Sequence, residues 1–227
     1  MLKLKFYGQS CFVLRGETVT LAFDPYLSEN PAKIPLDADV KLDYILVSHA
    51  HADHLGDTVA LSEHFGATVV TTAEMGRHVT SLGCKKVEPM HIGGAIRLPQ
   101  MRVKATLALH GSGVAGGFAC GFLVTVEGVT LYFAGDTGLF GDMRLLGQYN
   151  AIDYALLPIG DRFTMGPEDA AIAAEMLNPR FVIPMHYNGN ARTMQDPQRF
   201  VRLAAERSAA KVIVLAPGEE TELLPRE

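Results

Sequence analysis

The stretch Ser48-His49-Ala50-His51-Ala52-Asp53-His54 places three of the chain's eight histidines and an aspartate within six consecutive residues. It follows Leu42-Asp43-Tyr44-Ile45-Leu46-Val47, an apolar run that reads as a buried strand. At an extended strand end, residues two apart leave on the same face, so His49 and His51 share a direction and Asp53 repeats the spacing. His54 falls one step further on, where the chain turns towards a helix. One segment thus offers imidazoles and a carboxylate in two directions, which suits two adjacent cations better than one. A solvated polar loop has no reason to crowd such residues behind a buried strand; metal binding does.

The same arrangement recurs along the chain. Residues 101–109 alternate, with Met101, Val103, Ala105, Leu107 and Leu109 expected on one face, and run into His110-Gly111-Ser112-Gly113. A histidine there fits a ligand beside an open pocket. Strands near 118–126 and 129–134, joined at Glu127-Gly128, deliver Gly135-Asp136-Thr137-Gly138. Asp136 fits a carboxylate bridging two metals, and equally a plain aspartate turn. Phe181-Val182-Ile183 leads to Pro184-Met185-His186-Tyr187-Asn188-Gly189, a third strand end with a histidine. Asp24-Pro25 closes an early strand. It fits a turn, and equally a carboxylate that holds a metal-bound histidine by its other ring nitrogen. His64, His78 and His91 lie away from strand ends and read as surface or packing residues.

The remaining elements expected are strands over 2–7, 11–15 and 18–23, a surface loop over 26–41 and a helix from Leu55 to Phe65. A short strand at Val69-Val70 and a helix from Thr72 to Gly83 follow. After the strand at Ala155-Leu156-Leu157, a helix runs from Pro167 through Met176. Asp196 opens the last helix, before strands near 211–215 and 221–224. Open α/β sheets bind ligands beyond the carboxyl ends of their strands, where every candidate here sits. No linker or composition shift divides the chain, so a single domain over 1–227 is expected.

Composition sets the outer bounds. The chain is 48% hydrophobic and 20% charged, with net charge −5, which argues against a general polyanion binder and makes a nucleic-acid partner unexpected. Cys11, Cys84 and Cys120 are far apart and form no CxxC pair, so they read as free thiols of a reducing, cytoplasmic compartment. The sequence shows no signal-peptide core and no stretch of transmembrane length, so no membrane partner is expected.

In His49-Ala50-His51-Ala52-Asp53-His54, His110, Asp136 and His186 the chain resembles the metallo-β-lactamase superfamily. Asp24-Pro25, Ser48 through Asp57, Pro158-Ile159-Gly160, Phe163-Thr164-Met165-Gly166-Pro167 and Pro184-Met185-His186-Tyr187 narrow the likeness. They resemble a family of compact metal-dependent hydrolases related to the ascorbate-6-phosphate lactonases. The resemblance implies an α/β fold, a four-layer αββα sandwich with two divalent metals along one edge. It implies that His49, His51 and His110 hold the first metal, and Asp53, His54 and His186 the second, with Asp136 bridging. Zinc is the implied default, with manganese and iron open. Histidine at position 51, where oxygen-reducing diiron relatives carry glutamate, favours hydrolysis. In one departure from its relatives, this chain has Gln9 where they tend to carry histidine.

The expected function is metal-dependent hydrolysis of an ester, lactone or similar bond in a small molecule. A bridging hydroxide would attack, with Asp53 orienting it and collecting its proton. Tyr187 and Asn188 are expected to contact substrate or its developing oxyanion, and Arg162 and Phe163 lie on a loop that could face the same mouth. A phosphodiesterase or nuclease with the same metals, and a metal-binding protein without catalysis, are the alternatives. Assembly into a homo-oligomer is compatible with the fold.

Overall fold

The alternation of the N-terminal strand explains the layering. In β1 (Leu2–Gly8), Leu2, Leu4 and Phe6 join one buried cluster, while Tyr7 points to the opposite face and joins another. The computed structural model, which describes residues 1–226, carries this two-sidedness through the whole first sheet. That sheet continues with β2 (Cys11–Arg15), β3 (Thr20–Phe23) and β4 (Tyr44–Leu46). Two short helices, α1 (Ala52–Leu55) and α2 (Thr58–Phe65), precede β5 (Thr68–Thr72). Then α3 (Ala73–Ser81) leads to β6 (Val87–Met90).

The second sheet begins with β7 (Ala95–Arg97), β8 (Met101–Leu107), β9 (Cys120–Val126) and β10 (Val129–Phe133). Next come α4 (Met143–Tyr149), β11 (Tyr154–Pro158), α5 (Pro167–Leu177) and β12 (Phe181–Met185). The chain ends with α6 (Pro197–Arg207), β13 (Lys211–Val212) and β14 (Glu220–Leu223). Each sheet has seven strands, in the orders β14-β1-β2-β3-β4-β5-β6 and β13-β12-β11-β10-β9-β8-β7. The last strand therefore returns to the first sheet, antiparallel to β1 with Leu2 opposite Leu223.

The larger cluster lies between the sheets and continues beneath the helices of the second. Phe12, Leu14, Leu21 and Phe23 of the first sheet meet Phe122, Val124, Leu131 and Phe133 of the second. Phe23 and Phe133 stack across the gap with centroids 4.9 Å apart. The smaller cluster covers the outer face of the first sheet, where Val13, Ile45 and Val69 pack under Met75 and Val79 of α3. Helices α5 and α6 cover the second sheet through Ala170, Ala174, Leu177 and Phe200. The result is an α/β sandwich layered helix, sheet, sheet, helix. No helix among the described residues is long and apolar enough to cross a membrane.

Several elements differ from expectation. The helix expected over Leu55–Phe65 is split in two at Gly56. That glycine has φ 41° and lies where a Cβ would overlap the Pro25 carbonyl and Tyr26. The strand expected over 101–109 ends at Leu107, so Leu109 leaves the core face and is exposed. The strand expected over 211–215 keeps only Lys211–Val212, and α4, β6 and β7 were not anticipated. Local chemistry did mark other ends. Glu127 and Gly128 both have positive φ, as a two-residue hairpin turn requires, and Asp196 caps α6 by accepting from Gln198 N at 2.9 Å.

Parallel pairing runs through β3-β4-β5-β6 and through β10-β11-β12-β13, so the ends of β3, β4, β10 and β12 gather along one edge. Backbone hydrogen bonds stitch the sheets together there: Cys120 N donates to Ser48 O at 3.1 Å and His186 N to Gln9 O at 2.7 Å.

One packing constraint is open to measurement. A Cβ on Gly147 of α4 would overlap the Met176 and Leu177 carbonyls of α5, whereas one on Gly141 would meet nothing within 4 Å. Overpacking costs about 1–3 kcal/mol, which exceeds the roughly 0.5–1 kcal/mol a helix gains from replacing glycine with alanine. Gly147→Ala should therefore lower Tm by several degrees, while Gly141→Ala leaves it nearly unchanged. Equal Tm values in a thermal scan of the two variants would contradict this packing.

Candidate metal centre

The site is assembled from chain reversals at strand ends. After β3, Asp24 takes a left-handed turn at φ 40° and is fully buried. Its Oδ1 accepts from Ser48 N at 2.7 Å, and its Oδ2 from Ser48 Oγ at 2.6 Å. The same Oδ2 lies 2.6 Å from His54 Nδ1. Both oxygens of Asp24 are engaged by hydrogen bonds, and Asp24, His49 and His54 also lie close enough together for a metal. Holding His54 by Nδ1 turns Nε2 towards the centre of the site. Asp24 thus serves as the turn and as the carboxylate behind a histidine at once.

Two groups of donor atoms face each other across this edge. In the first, His51 Nδ1 lies 2.9 Å from His49 Nε2 and 3.2 Å from His110 Nε2. In the second, Asp53 Oδ2 lies 3.4 Å from His186 Nε2 and 3.7 Å from His54 Nε2. Asp136 stands between them. Its Oδ2 is 3.1 Å from His186 Nε2, 3.3 Å from His54 Nε2 and 3.6 Å from His110 Nε2. The structure therefore brings together His49, His51, Asp53, His54, His110, Asp136 and His186. His64, His78 and His91 belong to neither group.

The donor atoms fit divalent cations on their own chemistry. A ring nitrogen has one lone pair or one proton, so His51 Nδ1 cannot satisfy two neighbouring nitrogens at once. His54 Nε2, His186 Nε2 and Asp136 Oδ1 are buried and make no hydrogen bond. Tetrahedral zinc with Zn–N near 2.0–2.1 Å sets its ligand nitrogens about 3.3 Å apart, close to the separations in the first group. Each group lies within the span of a single ion.

Electrostatics separates the members. Burial, reinforced by the charge of His54, drives His49 down to about 2. Burial also opposes a proton on His54, but Asp136 and Asp24 outweigh it and hold the group well above its usual range. For His186 the same contest, with Asp136 and Asp53 prevailing, gives about 9. Asp136 and Asp53 are held below the usual carboxylate range: burial acts against this, but the imidazoles prevail, and Gln9 adds a hydrogen bond to Asp53.

Ser48 Oγ, Thr137, Asn190 and Thr193 are contributors that the sequence did not single out, whereas Gln9 stood out as a departure and Phe163 as a loop residue that could face the mouth. Gln9 takes a left-handed backbone at φ 58° and donates from Nε2 to Asp53 Oδ2 at 2.9 Å. Ser48 is held between Asp24 and His49 Nδ1, and Thr137 Oγ1 accepts from Leu109 N beside His110. Phe163, Asn190 and Thr193 complete the walls of a pocket of about 270 Å³ over the donor atoms. Arg162 is exposed and lies against the Phe163 ring.

Tyr187 and Asn188, expected to contact substrate, lie outside the walls of the metal pocket. His186 has φ 53° and Asn188 φ 58°, so the chain reverses and the side chains after His186 line a neighbouring cavity. Asn188 is further committed to its loop, accepting from Gln195 N at 2.8 Å.

Residues 20–187, which include all seven of the His and Asp residues brought together at the site, match the beta-lactamase superfamily domain. The chain belongs to the metallo-β-lactamase superfamily. Within that superfamily it is 47% identical to a UPF0173 metal-dependent hydrolase of Desulforamulus reducens, covering 96% of this chain and 98% of the relative. It is 44% identical to the UPF0173 metal-dependent hydrolase lin1612 of Listeria innocua, covering 96% and 100%. The structure of Igni18, described as a novel metallo hydrolase from Ignicoccus hospitalis, superposes with a TM-score of 0.90 at 34% identity over 97% of each chain. This superfamily member is a metal-dependent hydrolase.

Cations entering the second group must displace protons from His54 and His186, whose pKa values are raised, so metal affinity should climb with pH. For chelated protein, apparent zinc affinity should rise by about tenfold per pH unit for each proton displaced, and His186 should cease to contribute above about 9. Calorimetric titration in buffers of different ionisation enthalpy should show proton release at pH 7. Metal uptake without proton release would contradict this charge arrangement.

Proposed function

We propose that the enzyme holds two divalent cations, zinc by default, and hydrolyses an ester, lactone or similar bond of an uncharged small molecule. The observation that carries this reading is the convergence of two three-residue donor groups on Asp136. His49, His51 and His110 would hold one cation, Asp53, His54 and His186 the other, and Asp136 would reach both. Manganese and iron suit the carboxylate content as well. When bound, such a pair lowers the pKa of a water towards neutrality and polarises the substrate oxygen.

The chain's own residues supply the rest. Asp53 stays ionised at neutral pH and, being partly exposed at the pocket floor, can accept a hydrogen bond from the attacking water and pass its proton towards the leaving group. Gln9 fixes the Asp53 carboxylate, and Asp24 fixes His54. Phe163 shields one side of the mouth. No lysine or arginine lines the pocket, which supports an uncharged substrate over a phosphodiester or nucleic acid, whose further charges would meet no cationic side chain.

General acid–base groups contribute about 10²–10⁴ in rate, so Asp53→Asn should lower kcat within that range while Tm stays close to wild type. Zinc-loaded and chelated enzyme, assayed on a lactone and on a phosphodiester with metal content measured in parallel, test the reading. Metal-dependent lactone opening is the expected result. Wild-type turnover by Asp53→Asn at full metal content would remove Asp53 from its role, and phosphodiester preference would overturn the substrate class.

A further inference from the structure

On the far side of Gln9 lies a second and larger cavity, of about 480 Å³. Its size falls within the roughly 300–1,000 Å³ of small-molecule sites. Phe6, Pro31, Ala32, Leu215, Ala216 and Pro217 make its walls largely apolar. Its one charged side chain, Glu219, is engaged locally, accepting from Ala216 N at 2.9 Å. No basic side chain in these walls would balance an anionic ligand group.

Gln9 belongs to the walls of both cavities and is 7% exposed. The two ends of its amide are turned apart. Nε2 donates to Asp53, in the metal pocket. Oε1 lies against Gly189, in the wall of the apolar cavity, so closely that a Cβ on Gly189 would overlap it. This oxygen is buried and has no hydrogen-bond partner. A buried acceptor left unpaired is costly, and a donor supplied by a ligand would remove that cost.

We propose that the cavity is a second subsite of the substrate pocket, taking the uncharged apolar part of the substrate and placing a hydrogen-bond donor of that part on Gln9 Oε1. As a substrate subsite it rests on the metal pocket being where the bond is cut; as a binding site it does not. Gln9 then has two tasks, holding Asp53 with one end of its amide and reading the substrate with the other. The ligand class is a neutral alkyl or acyl group with an adjacent O–H or N–H.

The test begins without metal or turnover. Straight-chain 1-alkanols from butanol to octanol, titrated calorimetrically into chelated protein, should bind with affinity rising by roughly fourfold per methylene, the worth of burying one CH₂. Octyl phosphate should bind less well than octanol. Ala216→Trp, at an exposed position of the cavity wall, should abolish the chain-length gain, and Ala216→Leu, a smaller filler, should reduce it if the tryptophan variant fails to fold. Absence of alkanol binding, or binding unchanged in a folded Ala216 variant, overturns the subsite.

Hydrolysis of p-nitrophenyl esters from acetate to octanoate by zinc-loaded enzyme provides the second arm. Their kcat/KM should rise with chain length, and the slope should flatten in the Ala216 variants. Alkanol binding without hydrolysis of any ester would leave the cavity standing and count against ester cleavage. Ester cleavage with no chain-length dependence and no alkanol binding would reject the subsite alone.

Discussion

The edge of this sandwich depends on one buried carboxylate being completely satisfied. Asp24 has no access to water, and its oxygens are met by the Ser48 amide, the Ser48 hydroxyl and the His54 ring. A buried charge without such partners would be strongly destabilising. The same bonds turn the chain after β4 and aim His54 Nε2 at Asp136. Ser48 also accepts through its carbonyl from Cys120 N of the second sheet, so the support of one histidine is tied to the closure of the two sheets. Structure and site are built from the same few hydrogen bonds.

What Asp24 satisfies on one side, the site leaves unsatisfied on the other. His51 Nδ1 faces two imidazole nitrogens that it cannot both satisfy, and His54 Nε2, His186 Nε2 and Asp136 Oδ1 are buried without a hydrogen bond, an arrangement that costs free energy unless positive charge fills the centre. The raised His54 and His186 and the lowered Asp136 show the protein supplying that charge with protons. Divalent cations would supply it with more charge and better geometry.

Much of this was legible in the residues because metal donors are rare, costly and clustered at strand ends. The stretch from Ser48 to His54, His110 and His186 stood out as donor candidates from spacing, Asp136 was settled as one only by the family resemblance, and the sheet–helix alternation followed from apolar runs. What escaped depends on backbone reversals and tertiary packing. The apolar pattern continues across Gly56, so the break between α1 and α2 was invisible until Pro25 and Tyr26 were seen against it. The β6 and β7 strands are short and lie at sheet edges with little burial, leaving weak periodicity to detect. Tyr187 and Asn188 follow a ligand candidate directly, yet left-handed turns at His186 and Asn188 send them to the other cavity. Gln9 stood out only as a departure from its relatives, and its contact with Asp53 could not be read because it depends on the β12 end meeting the β1–β2 turn.

The division of donors between the sheets has a mechanical consequence. His49, His51, Asp53 and His54 follow strands of the first sheet, whereas His110, Asp136 and His186 follow strands of the second. Each donor group draws on both. An ion in either group would be a rivet through the seam, resisting any motion that opens the sandwich along this edge. Binding to the folded state alone stabilises it by mass action. Metal supply would thus govern how firmly the two halves of the chain stay closed, as well as the chemistry between them.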